Sequence, residues 1–321
     1  MRASTVTEFD RHTDPFRREL LVHCYRMLGS VDEAEDVVQE TYLRAWRAFD
    51  RFEGRSSVRT WLYRIATNSC LTQLEHHRRR PLPSGLGGPT EDPELPLAIP
   101  GIDWLEPFPD VVLDAADPAA IVASRDSLRL ALVAALQLLP GRQRAVLILR
   151  DVLGWRAAEV AELLGTSTFA VKSLLQRART QLERMSPAED QLAEPAELRS
   201  LLDRYVSAFE NADVAALLRL LSADAELEMP PFATWLRGRE AVGRFVGAHI
   251  FGSPGALRLV PAGVNGGPGF AVYLDGHAHA IMALTAGRAG ITRIVAFLDP
   301  GLFGRFGLPD SFPVPAGSAL V

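Results

Sequence analysis

Residues 153–182 read LGWRAAEVAELLGTSTFAVKSLLQRARTQL, and the spacing of their apolar side chains decides the fold. Ala157, Val160, Ala161 and Leu164 share one side of a first helix. Gly165 closes it, because glycine turns the chain through positive φ without a Cβ clash. Thr166, Ser167 and Thr168 offer hydroxyls to cap a second helix. In that helix Val171, Leu174, Leu175, Ala178 and Leu182 repeat at the i, i+3, i+4, i+7 interval of a buried stripe. The opposite face holds Lys172, Ser173, Gln176, Arg177 and Thr180, with Thr168 and Phe169 at its start. The pattern is a helix-turn-helix. Its polar face suits either a B-DNA major groove or plain solvent. Phe169 suits either a thymine methyl or the preceding helix.

Outward from this motif, the charge changes sign. The 321-residue chain has a net charge of −5, yet residues 142–184 carry Arg142, Arg144, Arg150, Arg156, Lys172, Arg177, Arg179 and Arg184 against Asp151, Glu159, Glu162 and Glu183. A local positive balance in an acidic chain is what phosphate attraction requires. Apolar residues make up 48%, which excludes disorder throughout. Cys24 and Cys70 form no CxxC and have no His partner at metal spacing, so neither a metal site nor a cofactor site is expected. Reduced thiols, the lack of any apolar run of roughly 18 residues and the lack of a signal core point to a cytoplasmic protein with no membrane contact.

Residues 1–80 read as helices. One spans Phe16 to Leu28, and a second, with Asp32 as its cap, runs to Phe49. In the second, Ala34, Val37, Val38, Thr41, Tyr42, Ala45, Trp46 and Phe49 face inward. Asp36, Gln39 and Glu40 face outward, as an acidic docking surface or as a complement to the helix dipole. A third helix, capped by Ser56 or Ser57, presents Arg59, Arg64, Asn68 and Gln73 on its polar side. Phe49, Phe52, Trp61 and Tyr63 interleave with arginines, as single-stranded nucleic acid binding needs; a core role for Trp61 and Tyr63 fits equally.

Two blocks carry a family resemblance. DEAEDVVQETYLRAWRAFDRFEGRSSVRTWLYRIATNSCLTQLEHHRRR resembles region two of bacterial sigma factors of the extracytoplasmic-function type, and LLPGRQRAVLILRDVLGWRAAEVAELLGTSTFAVKSLLQRARTQL resembles their region four. The resemblance implies that Asp36, Gln39 and Glu40 dock on the clamp helices of RNA polymerase core, with region four reaching its flap. It implies that Arg59, Trp61, Arg64 and Asn68 handle the single-stranded −10 element. Thr168, Phe169, Lys172, Ser173, Gln176 and Arg177 would face the double-stranded −35 element. Leu174 stands where many relatives carry Arg, which implies an altered promoter preference.

Residues 81–117 are too rich in proline to sustain a helix, yet Ile102, Trp104, Leu105 and Phe108 are too apolar for an idle tether. The WLEPFPD run resembles the linker of sigma factors with an extra C-terminal domain, so Trp104 and Phe108 are expected to bury against that domain or region two.

Beyond a short acidic linker (187–197) the period changes. Amphipathic helices (198–208, 214–221) precede an alternating strand (225–229), a helix (238–251), a hairpin turning at Asp275-Gly276 and a last strand (291–298). This order gives an α+β domain, residues 198–305, followed by a tail, 306–321. MPPFATWLRGREAV and AFLDPGLFGRFGLP resemble a SnoaL-like domain, a cone with a curved antiparallel sheet. That resemblance offers Asp224, Glu228, Trp235, His249, His277 and His279 as lining of a ligand pocket.

The expected architecture is therefore multidomain: two all-α domains (1–80 and 118–186, joined by 81–117), then the α+β cone. The expected function is promoter-directed initiation by RNA polymerase, without catalysis, modulated by the C-terminal domain. A small-molecule enzyme with a DNA-binding front and a plain helix-turn-helix regulator are the alternatives. The docking helix at Asp36–Glu40 argues against the second, since a repressor needs none.

Overall fold

The computed structural model describes residues 2–54, 56–76, 79–90, 92, 97–112, 127–185 and 195–312. The expected helix start at Asp117-Pro118, the acidic stretch after Met185 and the last nine residues lie outside these. The chain divides into two compact units: Met1–Pro81 with Pro118–Pro187, and Leu82–Asp117 with Ala188–Val321.

The first unit is helical. It holds α1 (Arg2–Thr13), α2 (Arg17–Leu28), α3 (Val31–Ala48) and α4 (Val58–His76), then α5 (Leu130–Gln137), α6 (Gly141–Leu147), α7 (Ala157–Leu163) and α8 (Thr168–Met185). Gly29, at φ 76°, ends α2. Ser30, and not Asp32, caps α3: its hydroxyl accepts Glu33 N–H at 3.3 Å, with Glu33 at the third helical position. Ser57 caps α4 by accepting Thr60 N–H at 3.0 Å. The unit's interior is unusually polar. Beside Leu20, Met27, Leu62, Ile148 and Val171 it buries His23, Arg26, Gln137 and Arg144.

The second unit contains α9 (Pro195–Glu210), α10 (Val214–Leu220), α11 (Arg239–Phe245) and the strands β1 (Leu221–Glu228), β2 (Trp235–Arg237), β3 (Leu257–Pro261), β4 (Gly269–Leu274), β5 (His277–Gly287) and β6 (Gly290–Phe297). They form one six-stranded sheet in the order β2-β1-β6-β5-β4-β3. The expected all-antiparallel sheet is corrected at one pairing, since β1 runs parallel to β6. Asp275 (φ 50°) and Gly276 (φ 80°) both take positive φ, as the type I′ hairpin turn between β4 and β5 demands. One sheet face supplies Leu227, Phe270, Val272, Met282 and Ile294 to a core shared with Tyr205, Phe209, Leu217, Val242 and Phe245. Each such large side chain contributes about 1.5–3 kcal/mol on burial.

The proline-rich segment belongs to this second unit. Leu105 and Phe108 are 1% and 0% exposed, and Trp104 is half-buried.

Candidate nucleic-acid interface

The helix-turn-helix is built as its spacing suggests. Gly165 sits at φ 60°, and Thr166 N–H returns to Ala161 C=O at 2.9 Å, closing α7. Ser167 caps α8 by accepting Ala170 N–H at 3.1 Å. Val171, Leu175 and Ala178 are buried, and this seats the helix. Thr168, Phe169, Lys172, Ser173, Gln176 and Arg177 are exposed on the far side. Phe169 is 81% exposed, which removes the alternative that it packs on the preceding helix. Among the described residues no side chain pairs with Lys172 or Gln176. Arg179 forks instead onto Asp151 at 2.8 and 2.7 Å, which fixes the helix within its unit.

Helix α4 presents its residues differently. Arg59 forks onto Glu19 of α2 at 2.8 and 2.9 Å and lies 5.0 Å over the Tyr63 ring. The hydrogen bond to Glu19 holds its guanidinium above its ordinary pKa. Arg64 reaches Glu162 of α7 at 2.7 Å. Trp61 is half-buried and stacks on Phe52 at 4.7 Å with 28° between the rings, while Asn68 is exposed. Of the interleaved aromatics, Tyr63 is fully buried, and Phe49 packs edge-on against Phe9 at 5.2 Å. Under α4, His23 Nε2 lies 2.9 Å from Thr67 Oγ1. Burial first, then Arg26 and Arg59, push the His23 pKa down to about 3.

On α3, Asp36 and Gln39 are exposed, and Glu40 is half-exposed and paired with Arg44 at 2.6 Å. Trp46, expected inside, is 52% exposed, and Leu43 beside it is 50% exposed. The reason is geometric: at about 100° per residue Trp46 projects some 40° past Tyr42, the edge of the buried arc, onto the face of Gln39 and Leu43. Sequence reading missed Leu43, although the same projection puts it at the centre of the exposed face.

The six pocket candidates do not converge. Glu228 and Trp235 are register partners on β1 and β2. Glu228, 0% exposed, accepts from Arg293 Nε at 2.8 Å and from Ser84 N–H at 2.8 Å. Trp235 donates to Gly87 C=O at 2.9 Å. Asp224 is exposed and accepts from Ser222 at 3.0 Å, and His249 is exposed after α11. His277 and His279 lie on β5, two strands from β1; His279 is half-buried, and its pKa is lowered by that burial.

What Glu228 and Trp235 hold is the proline-rich segment. Phe108 N–H donates to Asn265 Oδ1 at 2.9 Å, and Asn265 N–H returns to Phe108 C=O at 2.8 Å. Asp110 accepts Gly266 N–H at 2.7 Å, and Arg305 reaches Glu106 at 2.9 Å. Asn265 stands at φ 53°, a conformation asparagine tolerates better than most residues. None of Arg293, Asn265, Glu106 or Asp110 was among the residues singled out from sequence. Their partners lie up to 209 positions away.

Comparison with known proteins covers both units. The Sigma-70 region 2 family matches residues 14–80, Sigma-70 region 4 matches 129–182, and the SnoaL-like domain matches 202–299. The chain is 53% identical over 315 residues to the ECF RNA polymerase sigma factor SigG of Mycobacterium tuberculosis, covering 95% of this chain and 85% of that protein. It is 30% identical over 171 residues to the ECF RNA polymerase sigma factor SigW of Bacillus subtilis, covering 53% of this chain and 84% of that one. The crystal structure of the extracytoplasmic function sigma factor SigJ of Mycobacterium tuberculosis superposes with a TM-score of 0.62 at 27% identity, covering 95% of this chain and 100% of that chain.

Proposed function

This chain belongs to the extracytoplasmic-function (ECF) RNA polymerase sigma factors, and from that premise we propose how its surfaces divide the work. The protein is a transcription factor that directs bacterial RNA polymerase to promoters. In our reading α8 lies in the major groove of the −35 element, with Gln176 and Arg177 on base edges, Lys172 and Ser173 on base or phosphate, and Phe169 against a thymine methyl. The observation that carries this assignment is that these side chains stand exposed on one face while Val171, Leu175 and Ala178 seat the other.

The Phe52–Trp61 stack, with Asn68 exposed on the same helix, supplies an aromatic platform and a polar contact for unstacked −10 bases. Asp36, Gln39 and Glu40 flank Leu43 and Trp46, and this apolar centre with an acidic rim docks on the clamp helices of core polymerase. The sheet unit modulates initiation through its hold on the linker, without chemistry of its own. Glu228 is committed to Arg293 and Ser84, and Tyr205 brings the one hydroxyl among the described residues of the apolar core.

The test is in-vitro transcription with core polymerase, joined to footprinting. Lys172→Ala with Gln176→Ala abolishes −35 protection while core binding persists, and Leu43→Ser with Trp46→Ser lowers core binding. An unchanged footprint removes the recognition-helix assignment.

A further inference from the structure

Lys172 is the only lysine of the 321-residue chain; every other member of its 34 lysines and arginines is an arginine. That one side-chain amine stands on α8, opposite the buried Val171, Leu175 and Ala178. It is exposed, as are Thr168, Phe169, Ser173, Gln176 and Arg177 around it. One turn away in either direction the helix offers Thr168, Phe169, Leu175 and Gln176, and none of these is a carboxylate. Arg177 turns back onto its own helix, its Nε donating to Ser173 C=O at 3.4 Å.

The carboxylates of this segment are engaged elsewhere. Asp151 takes Arg179 at 2.7 Å, Glu159 takes Arg156 at 2.9 Å, and Glu162 takes Arg64 at 2.7 Å. Glu183 lies three turns further along α8, roughly 16 Å down the axis. Among the described residues no ion pair masks the amine. As charges, an ammonium and a guanidinium serve a phosphate alike, and the guanidinium forks better onto a base edge. They differ in reactivity. An unprotonated Nζ is a nucleophile, whereas a guanidinium stays protonated in water. At this one position the chain carries the cation that covalent chemistry can neutralise.

We propose that Lys172 is an acylation site, and that an acyl phosphate or the acyl thioester of a phosphorylated carrier switches off reading of the −35 duplex by modifying it. The proposal rests on the assignment of α8 to that duplex. Unprotonated Nζ attacks the acyl carbonyl carbon. A C–N bond forms, the C–O bond to phosphate or the C–S bond to the carrier thiol breaks, and phosphate or thiolate leaves with the bonding pair. The surplus proton on nitrogen passes to water. The product is a neutral amide, so the face loses its one ammonium and keeps Arg177. Both donors carry phosphate, and the cationic groups that would lie against DNA draw them to the same place. Bound duplex covers the amine, so an occupied promoter protects it.

The experiment treats the full chain with acetyl phosphate or with acetyl coenzyme A in separate arms, repurifies it and adds untreated core polymerase. Peptide mapping finds an acetyl group on Lys172, and the arm that yields it identifies the donor. The treated holoenzyme binds a −35 duplex about five- to tenfold more weakly, the lower end for one lost base-edge contact. The slope of its log affinity against log salt becomes shallower by about 0.9, as for one phosphate contact removed. Promoter duplex added before the donor slows modification of Lys172. Lys172→Gln reproduces the weaker binding and the shallower slope, and neither donor weakens Lys172→Arg further, which excludes damage elsewhere. An unmodified Lys172 in both arms, or a modified one that leaves affinity unchanged, overturns the proposal. Gln176→Ala separates the two ways to fail. If it binds the duplex as tightly as wild type, the assignment of α8 has failed and the switch falls with it. If it binds more weakly while acetylated Lys172 does not, the switch alone has failed.

Discussion

Helices α4 and α8 carry the two sets of residues proposed to meet nucleic acid, and they are prepared in opposite ways. On α8 the buried side is apolar (Val171, Leu175, Ala178), and Lys172 and Gln176 are exposed with no side-chain partner among the described residues. On α4 the buried side leans on His23 through Thr67 and the Tyr63 ring, and two arginines proposed for DNA are already paired, Arg59 with Glu19 and Arg64 with Glu162. One proposed reading face is presented outright; the arginines of the other are held in ion pairs. A duplex groove needs only a rigid rod at the right angle. A melted strand must be captured in competition with base stacking, so control over that surface decides when melting is productive.

Acid separates the two helices most strongly. His23 is buried neutral, with a pKa lowered to about 3 from an ordinary 6.5. Its contribution is present above pH 6.5 and is lost as pH falls towards about 3, because the unfolded chain binds the proton first. Between pH 7 and pH 5 this amounts to about 2 kcal/mol of the helical unit's stability. Urea unfolding at the two pH values measures it, with His23→Gln as the reference that keeps a donor for Thr67. The wild type loses about 2 kcal/mol more than the variant. Equal losses would show that α4 does not depend on that histidine.

A second contrast comes from removing one polar residue from each helix. Gln176→Ala on α8 costs about tenfold in −35 duplex affinity, the value of one good base contact, and leaves the unfolding midpoint where it was. Arg59→Ala on α4 moves the midpoint instead, by about 1 kcal/mol. That is the upper end for a part-exposed ion pair and is warranted by the fork onto Glu19 and the Tyr63 ring beneath it. A destabilised Gln176→Ala, or an Arg59→Ala as stable as wild type, breaks the distinction.

The same distinction explains what could be read from the chain. The helix-turn-helix was legible because its information is local: an i, i+3, i+4 stripe, a glycine at φ 60° and a hydroxyl cap lie within thirty residues of one another. The Asp275-Gly276 turn was legible for the same reason. Arg59 and Arg64 were legible as polar surface but not as paired groups, since Glu19 is 40 and Glu162 is 98 positions away. The linker's burial followed from Phe108 being too apolar to expose, whereas its receptor, Asn265, had no local mark. Strand β2, three residues long, carries too little alternation to be seen. The parallel pairing of β1 with β6 joins elements whose relative direction no local pattern encodes. Trp46 was misplaced because it lies just past the margin of the buried helical arc, about 40° beyond Tyr42 at 100° per residue, and is 52% exposed.

The finest test sets Phe169 against Trp61. Phe169, 81% exposed, touches little in the free protein, so Phe169→Ala should leave the unfolding midpoint unmoved and reduce −35 affinity by a few-fold, the order expected of one apolar contact with a base. Trp61 stacks on Phe52, so Trp61→Ala should lower stability as well as strand binding, and the two effects cannot be separated there. Phe169 permits a cleaner experiment on the DNA side. Replacing the contacted thymine by uracil deletes only its methyl group. If the ring meets that methyl, the uracil duplex weakens the wild type by the same few-fold and leaves Phe169→Ala unaffected, because a contact removed once cannot be removed again. Losses that add in full place the ring elsewhere and return α8 to a surface read by its polar side chains alone.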